Sequence, residues 1–527
     1  MRQASPAGRP SPVLDLLIPA LLAAILPLAC LVLARDRPMW TDELLSRVML
    51  ADPSFEHMLA ALADTINAFP PLYFVVGWGW ARLFGSGELS LRMLSSLPMA
   101  AGVFLAWRTL RMVNSRTAAS LAVVLLMATS RDLFHQNTEA RPYGLYFLGF
   151  AAASHALWGV AARGAIVRGR AGYLALSTAT LVATHYVGVF LSAALVATAL
   201  SAWWLSRNRL WGVAAAWMAT GWLAALAGVP FFLAQSSLGG ESNWLTLADT
   251  SHLHDAFRCR LWGLDAIVAL WVAGMLLLIG ARGDARSADD ADRPPTPAGN
   301  LRLARGLYVF WLFAAVPGLW IFSRVGPVIF LERYFFPLSL AWAVCAAAAI
   351  DGLLDLARTR AIDGTLSTFA RRCLAAVAPV CLASMLAVAA LAAREQIAGE
   401  VRGRRAEIDR VRACLAATGE TRFLCGNLGV FLPIMEYERD LPCDFVIPPR
   451  EARGIPQGFR GAATGLRRHY WRDRVLSLEE AETKLDRFAA LGEDFEMWRD
   501  WGAFENWRVA RRLDDSFTVV VERKDSP

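Results

Sequence analysis

Lysine is nearly missing from this chain. Lys484 and Lys524 are the only two, although lysine and arginine together number 53 against 46 acidic residues. The net charge of +7 is therefore almost wholly arginine charge. In a chain with long apolar blocks, arginine marks the ends of cytoplasmic loops, so the basic balance is no argument for a nucleic-acid partner. The eight cysteines contain no C-x-x-C pair, which removes the zinc-ribbon and thioredoxin-like signatures. A repeat of fixed period is also missing, which argues against a solenoid. Charge of either sign is absent from long stretches, and those stretches define the molecule.

Hydrophobic residues make up 56% of the chain, against roughly 45–50% in soluble domains. The excess falls in uncharged blocks: Leu16–Ala34, Met93–Trp107, Thr117–Ser130, Pro142–Ala162, Ala171–Ser206, Leu210–Gly240, Ala266–Ala281, Gly306–Ser323, Tyr334–Ile350 and Cys373–Ala393. A crossing helix needs about 20 residues, and the shorter blocks reach that length with flanking residues that snorkel. Ala171–Ser206 is too long for one crossing and splits near His185–Gly188. The pattern predicts an all-α polytopic membrane protein with about 11 transmembrane helices. The first run ends in Arg35-Asp36-Arg37 rather than a small-residue cleavage site, so it reads as an uncleaved helix. Cys30, Cys345, Cys373 and Cys381 fall in apolar blocks and read as small core residues.

Pro70–Gly85 is apolar but short, and Arg82 interrupts it. Read as an interfacial helix rather than a crossing, it leaves Arg108, Arg111, Arg116, Arg163, Arg168, Arg170, Arg207, Arg209, the 282–305 loop and Arg371-Arg372 on the cytoplasmic side. The N-terminus is then cytoplasmic. The outer face carries a long first loop with interfacial helices at 35–92, a short loop at 131–141, the turn at His185, and loops at 235–260 and 323–333. Residues 1–393 form the membrane module. Residues 394–527 carry charge throughout and form a small extracytoplasmic α/β domain. In it, 406–416 and 478–491 are helical, and Arg422–Leu428 and Phe517–Glu522 are strands. Outside the cytoplasm a Cys425–Cys443 or Cys414–Cys425 disulfide is compatible with the sequence, as are free thiols.

Four polar groups fall on the outer face under this arrangement. Asp42 and Glu43 follow the first helix; adjacent carboxylates at a membrane surface suit a general base or a metal ligand, while Thr41 or Asp42 also suits the cap of a helix running to Leu50. Glu139, Arg141 and Tyr143 flank Pro142 at a helix start, where they contact a phosphate and sugar hydroxyls or simply pair in water. Glu332, Arg333 and Tyr334 open another helix, as interfacial anchor or phosphate clamp. His185 and Tyr186 sit at a tight turn, where a lone histidine is more often a satisfied polar residue than a ligand. His135, His252 and His254 are weaker still, since H-x-H rarely holds a metal without a nearby carboxylate. The arginines alone chose the topology, so the gathering of these groups on one face is an independent agreement.

The order of motifs resembles the polytopic C-type glycosyltransferases, and within them the protein O-mannosyltransferase and lipid A aminoarabinose transferase group. The shared pattern is Trp40-Thr41-Asp42-Glu43, then Pro70-Pro71-Leu72-Tyr73, then Phe84-Gly85 with Glu88 and Arg92, then Arg141-Pro142-Tyr143, then Glu332-Arg333-Tyr334. It covers roughly residues 10–350. The resemblance implies transfer of a sugar from a polyprenyl phosphate or diphosphate on the outer face to an acceptor that the sequence leaves open: lipid, glycan or protein. It implies a catalytic carboxylate at Asp42 with Glu43 beside it, and a second acidic position at Glu139, although relatives often carry Asp near that point. Some relatives use a divalent cation and others do not, and the cofactor stays open here. The alternative is a polytopic transporter or lipid-linked-sugar flippase, which would place charges at mid-membrane in paired halves.

Overall fold

The structure, a computed structural model, describes residues 12–35, 37–166, 168–239, 248–258, 297–326, 329–362 and most of 391–524. The chain divides into two units: Met1–Ala34, Arg92–Ala227 and Leu247–Arg394 make the first; Arg35–Leu91, Gly228–Thr246 and Glu395–Pro527 make the second.

In chain order the helices begin with α1 (Pro12–Leu33), α2 (Thr41–Leu50), α3 (Phe55–Ala63), α4 (Leu72–Phe84), α5 (Glu88–Arg111), α6 (Arg116–Thr129) and α7 (Arg131–Asn137). There follow α8 (Tyr143–Arg163), α9 (Arg168–Thr184), α10 (Gly188–Ser206), α11 (Arg209–Thr220), α12 (Leu223–Gly239), α13 (Thr250–Arg258) and α14 (Pro297–Val325). A 3-10 turn (Glu332–Leu338) then leads into α15 (Ser339–Ile362). Seven stretches among the described residues are long and apolar enough to cross a membrane: Pro12–Leu33, Glu88–Arg111, Tyr143–Arg163, Gly188–Ser206, Arg209–Gln235, Leu303–Val325 and Glu332–Asp355. Of the eleven expected crossings, Ala266–Ala281 lies outside the described residues and Cys373–Ala393 almost wholly so. α6, α9 and α4 are shorter. At 1.5 Å per residue α4 and α6 each span about 20 Å against a hydrocarbon core of about 30 Å, so length does not separate the expected interfacial helix from the expected crossing. The expected split of Ala171–Ser206 into two helices is present as α9 and α10.

The first unit is one continuous apolar core. Trp107, Trp158, Tyr146, Phe147, Tyr308 and Phe336 are all buried in it. Polar groups fix the helix ends. The Ser115 hydroxyl accepts the Ala118 N–H at 3.1 Å and caps α6. The Ser115 amide in turn donates to Asp351 at 2.9 Å, which ties α6 to α15. α8 ends at Gly164 in the left-handed region at φ 61°, where glycine carries no Cβ penalty.

In the second unit the tail forms a six-stranded sheet: β1 (Phe423–Cys425), β2 (Cys443–Val446), β3 (Val475–Leu476), β4 (Arg487–Leu491), β5 (Trp507–Arg512) and β6 (Thr518–Arg523). The order is β3-β2-β1-β4-β6-β5. The four strands β3, β2, β1 and β4 are parallel, and β6 and β5 close the sheet antiparallel. Its helices are α16 (Leu428–Tyr437), α17 (Gly458–His469), α18 (Leu478–Lys484) and α19 (Gly492–Asp500). Phe488, Trp498, Phe504 and Trp507 pack together on one face. Where one charged helix was expected at 478–491, α18 stops and β4 begins, because 487–491 pairs with β1 and β6. Cys414, Cys425 and Cys443 are buried thiols rather than a disulfide.

The first loop folds with this tail. Asp52 accepts the Tyr470 hydroxyl at 2.8 Å and contacts His57 Nδ1 at 2.5 Å. Asp64 binds His469 Nε2 at 2.7 Å and Arg468 at 2.6 Å, and the two imidazoles face each other at 3.1 Å. Gln235 of α12 donates from its buried amide to the carbonyls of Leu62, Asn67 and Phe69.

Candidate functional site

In the first unit, α5 and α8 approach so closely that a Cβ on Gly144 would meet the Ser95 carbonyl. Only glycine fits there. The contact seats the chain just before α8: the Ser95 hydroxyl donates to the Arg141 carbonyl and accepts the Arg141 N–H at 3.1 Å. Asn137, fully buried at the end of α7, accepts from Ser96 at 2.8 Å and donates to the Leu26 carbonyl at 2.9 Å. Residues 137–141 are thereby pinned to α5 and α1. The short outer loop expected at 131–141 is instead mostly helix α7, capped by Ser130, whose hydroxyl accepts the Leu133 N–H at 3.3 Å. Glu139 and Arg141 are buried, and His135 Nδ1 lies 3.2 Å from the Glu139 carboxylate.

An aromatic cluster lies beside this turn. His185 stacks on Tyr146 at 4.7 Å between ring centres and meets Tyr334 edge-on at 4.5 Å. Tyr143 is 5.9 Å from His185, and the Arg141 guanidinium lies 5.9 Å over the Tyr143 ring. The Tyr146 hydroxyl donates to the Tyr334 carbonyl at 3.1 Å, so α8 holds the 3-10 turn directly. The Arg333 guanidinium lies 6.0 Å over the Tyr334 ring. Four of the predicted residues, Arg141, Tyr143, His185 and Tyr334, thus share one cluster. Glu139 and Arg333 adjoin it along the chain. Tyr186 is half-buried in the turn after His185, its carbonyl accepting the Val189 N–H at 3.2 Å.

Glu332 is reached from another segment. His252 Nε2 lies 3.5 Å from the Glu332 carboxylate, and His252 Nδ1 lies 2.7 Å from Asp249. The Asp249 hydrogen bond, with the nearby Glu332 charge, raises the His252 imidazole above its ordinary range, and Ser251 and His252 hold Asp249 below its own. The segment is anchored by Trp320 and Arg324, which donate to the Ala248 carbonyl at 3.1 and 2.7 Å. Sequence reasoning set the His252/His254 pair aside for want of a nearby carboxylate and ranked His135 low; Asp249 and Glu139 stand three and four residues away in the chain, and only Glu332 comes from elsewhere in the fold. Tyr146 was missed, although it stands three residues after Tyr143 on the same helix face.

In the second unit, Asp42 and Glu43 occupy the first turn of α2. Glu43 is fully buried, and its carboxylate accepts the Trp40 N–H at 3.3 Å; Thr41 and Asp42, expected as caps, lie inside the first turn of the helix instead. Asp42 is half-buried. The backbone before α2 is held by Tyr437 of α16, whose hydroxyl accepts the Met39 N–H at 2.7 Å and donates to Glu88 at 2.6 Å. Arg47, later in α2, pairs with Glu436 at 2.5 Å. Among the described residues, no three His, Cys, Asp or Glu side chains are placed to hold a metal ion.

No protein-family model matches the sequence, and no curated protein matches it. Solved structures do. The chain is similar in fold to the ArnT of Cupriavidus metallidurans, crystallised in the apo state (TM-score 0.57, 16% identity, 97% of this chain on 98% of that one). It matches the undecaprenyl-phosphate-bound form of ArnT with a TM-score of 0.55 at 16% identity, 95% of this chain on 97% of that one. An oligosaccharyltransferase of Archaeoglobus fulgidus, tethered to an acceptor peptide, matches at 0.50 and 13% identity, 80% of this chain on 62% of that one. The chain therefore has the fold of the polytopic C-type glycosyltransferases, over nearly its full length. The resemblance drawn from the sequence motifs and the likeness of fold agree.

Proposed function

We propose that this protein transfers a glycosyl group from a polyprenyl-phosphate-linked donor to an acceptor on the extracytoplasmic face of a bacterial inner membrane. The observation that carries the reading is the near full-length fold match to a transferase crystallised with undecaprenyl phosphate. The Glu139–Arg141–Tyr143–His185–Tyr334 cluster, buried except for the half-buried Tyr334, supports it, because aromatic rings beside a guanidinium suit a sugar phosphate.

In the proposed reaction an acceptor hydroxyl or amine attacks the anomeric carbon. The bond from that carbon to the phosphate oxygen breaks, Asp42 takes the proton of the attacking group, and the polyprenyl phosphate leaves as an anion. Arg141 and Arg333, or a bound divalent cation, meet the developing charge.

The purified protein in sealed vesicles, supplied with a radiolabelled polyprenyl-phosphate sugar and envelope acceptors, should pass label to an acceptor. Asp42→Asn should lower that rate about 10²–10⁴-fold, the range of a lost general base, without changing thermal unfolding. Near wild-type transfer by the variant removes the assignment of Asp42. Movement of intact donor across the bilayer without transfer removes the enzyme reading in favour of a flippase.

A further inference from the structure

Far from the aromatic cluster, the first unit contains a basic cavity. Arg108 and Arg111 at the end of α5 and Arg163 at the end of α8 surround a space of about 150 Å³, completed by Asp15, Trp107 and Met112. Arg108 stands about 20 Å along α5 from Ser95, at 1.5 Å per residue. α5 and α8 are both long and apolar enough to cross a membrane, so helix ends here lie at headgroup depth.

The charge around this space is unbalanced. Asp15 is its one carboxylate, and that is shared: it accepts from Arg116 at 2.9 Å and from Arg111 at 3.5 Å. Among the described residues Arg108 and Arg163 have no carboxylate partner. Arginines that only mark a loop end reach into open water, whereas Arg108 and Arg111 are half-buried against the cavity wall, with the exposed Arg163 at its mouth. The buried Trp107 ring is fixed by its N–H to Ser120 at 3.0 Å and gives the cavity an apolar wall. Beside Asp15, the same helix turns Val13, Leu16, Leu17 and Leu21 outward, exposed at 66%, 60%, 47% and 61%. Guanidiniums favour phosphate through paired hydrogen bonds, and basic pockets between membrane helices suit lipid headgroups. An ion alone would use only the guanidiniums; a phospholipid would use the apolar face of α1 as well.

We infer that Arg108, Arg111 and Arg163 bind the phosphate of an anionic glycerophospholipid whose acyl chains lie along the exposed face of α1. The inference is independent of the proposed catalysis. It is tested by native mass spectrometry of the full chain exchanged into phosphatidylglycerol or phosphatidylcholine. Phosphatidylglycerol adducts should survive activation that strips phosphatidylcholine, and Arg108→Gln/Arg163→Gln should weaken them at least about tenfold, roughly 1.4 kcal/mol. Arg209→Gln, an exposed arginine away from the cavity, should leave them unchanged. Asp15→Asn, which releases Arg111 and Arg116, should strengthen them, so the site stays testable if the double variant misfolds. Equal retention of the two lipids, equal loss in Arg209→Gln, or weaker binding in Asp15→Asn overturns the inference. Displacement of the lipid by millimolar inorganic phosphate also overturns it, in favour of a free-anion site.

Discussion

At the scale of single residues, Asp494 gives the clearest pH dependence. Burial pushes its carboxyl up to about 6, the Gly426 N–H at 2.9 Å pulls it back, and Glu493 adds repulsion. A carboxyl raised in the folded state contributes its stability fully below its unfolded value and loses it as pH rises through about 6. Above that, the buried charge costs at most about 3 kcal/mol. Asp494→Asn keeps an acceptor for Gly426 and removes the charge. Hydrogen-exchange protection of β1 and β4 should therefore match wild type near pH 4 and exceed it near pH 7.5. A gain independent of pH would show that packing, not charge, distinguishes the two. Legibility also divides at this scale. Arg141-Pro142-Tyr143 and Glu332-Arg333-Tyr334 could be read because their residues are contiguous. The Glu332 partner of His252 could not, because it stands 80 residues further on and only the packing of α13 on the 3-10 turn brings them together.

At the scale of elements, α2 is held along its length by the tail. Tyr437 anchors Met39 just before it, and Glu436 holds Arg47 near its end. The proposed base Asp42, with Glu43 beside it, lies between those anchors. Tyr437→Phe leaves a buried amide without that acceptor, a loss of about 1–3 kcal/mol. If α2 positions the base, turnover should fall several-fold with little change in the donor KM. Unaltered turnover would make the contact purely structural. None of this could be read from the sequence. The helix itself was legible, though its capping residue was not, and its clamp joins residues nearly 400 positions apart. Local signals misled in two other places. Ser130 caps a helix where a loop was expected, and Glu479–Lys484 favours helix so strongly that the strand after it was absorbed. Only pairing with β1 and β6 defines that strand.

At the scale of the whole molecule, the apolar blocks announced the membrane helices, yet the sequence kept the first loop and the tail apart. The fold joins them in one unit through Asp52, Asp64, His57, His469 and Tyr470. Residues 35–91 and the tail must then share one aqueous compartment, which constrains topology more tightly than arginine counting does. The proposed reaction adds a second requirement, that α13 beside Glu332 opens to that same compartment. Cysteines introduced at exposed Glu56, His254 and Arg508 should all react with a membrane-impermeant maleimide added to intact cells, and one at Arg209 only after permeabilisation. Labelling of 56 and 508 from opposite sides would contradict the fold itself. Labelling of 56 and 254 from opposite sides would leave the fold standing but separate Asp42 from the Glu332 cluster by a bilayer, and no single sugar phosphate could then meet both.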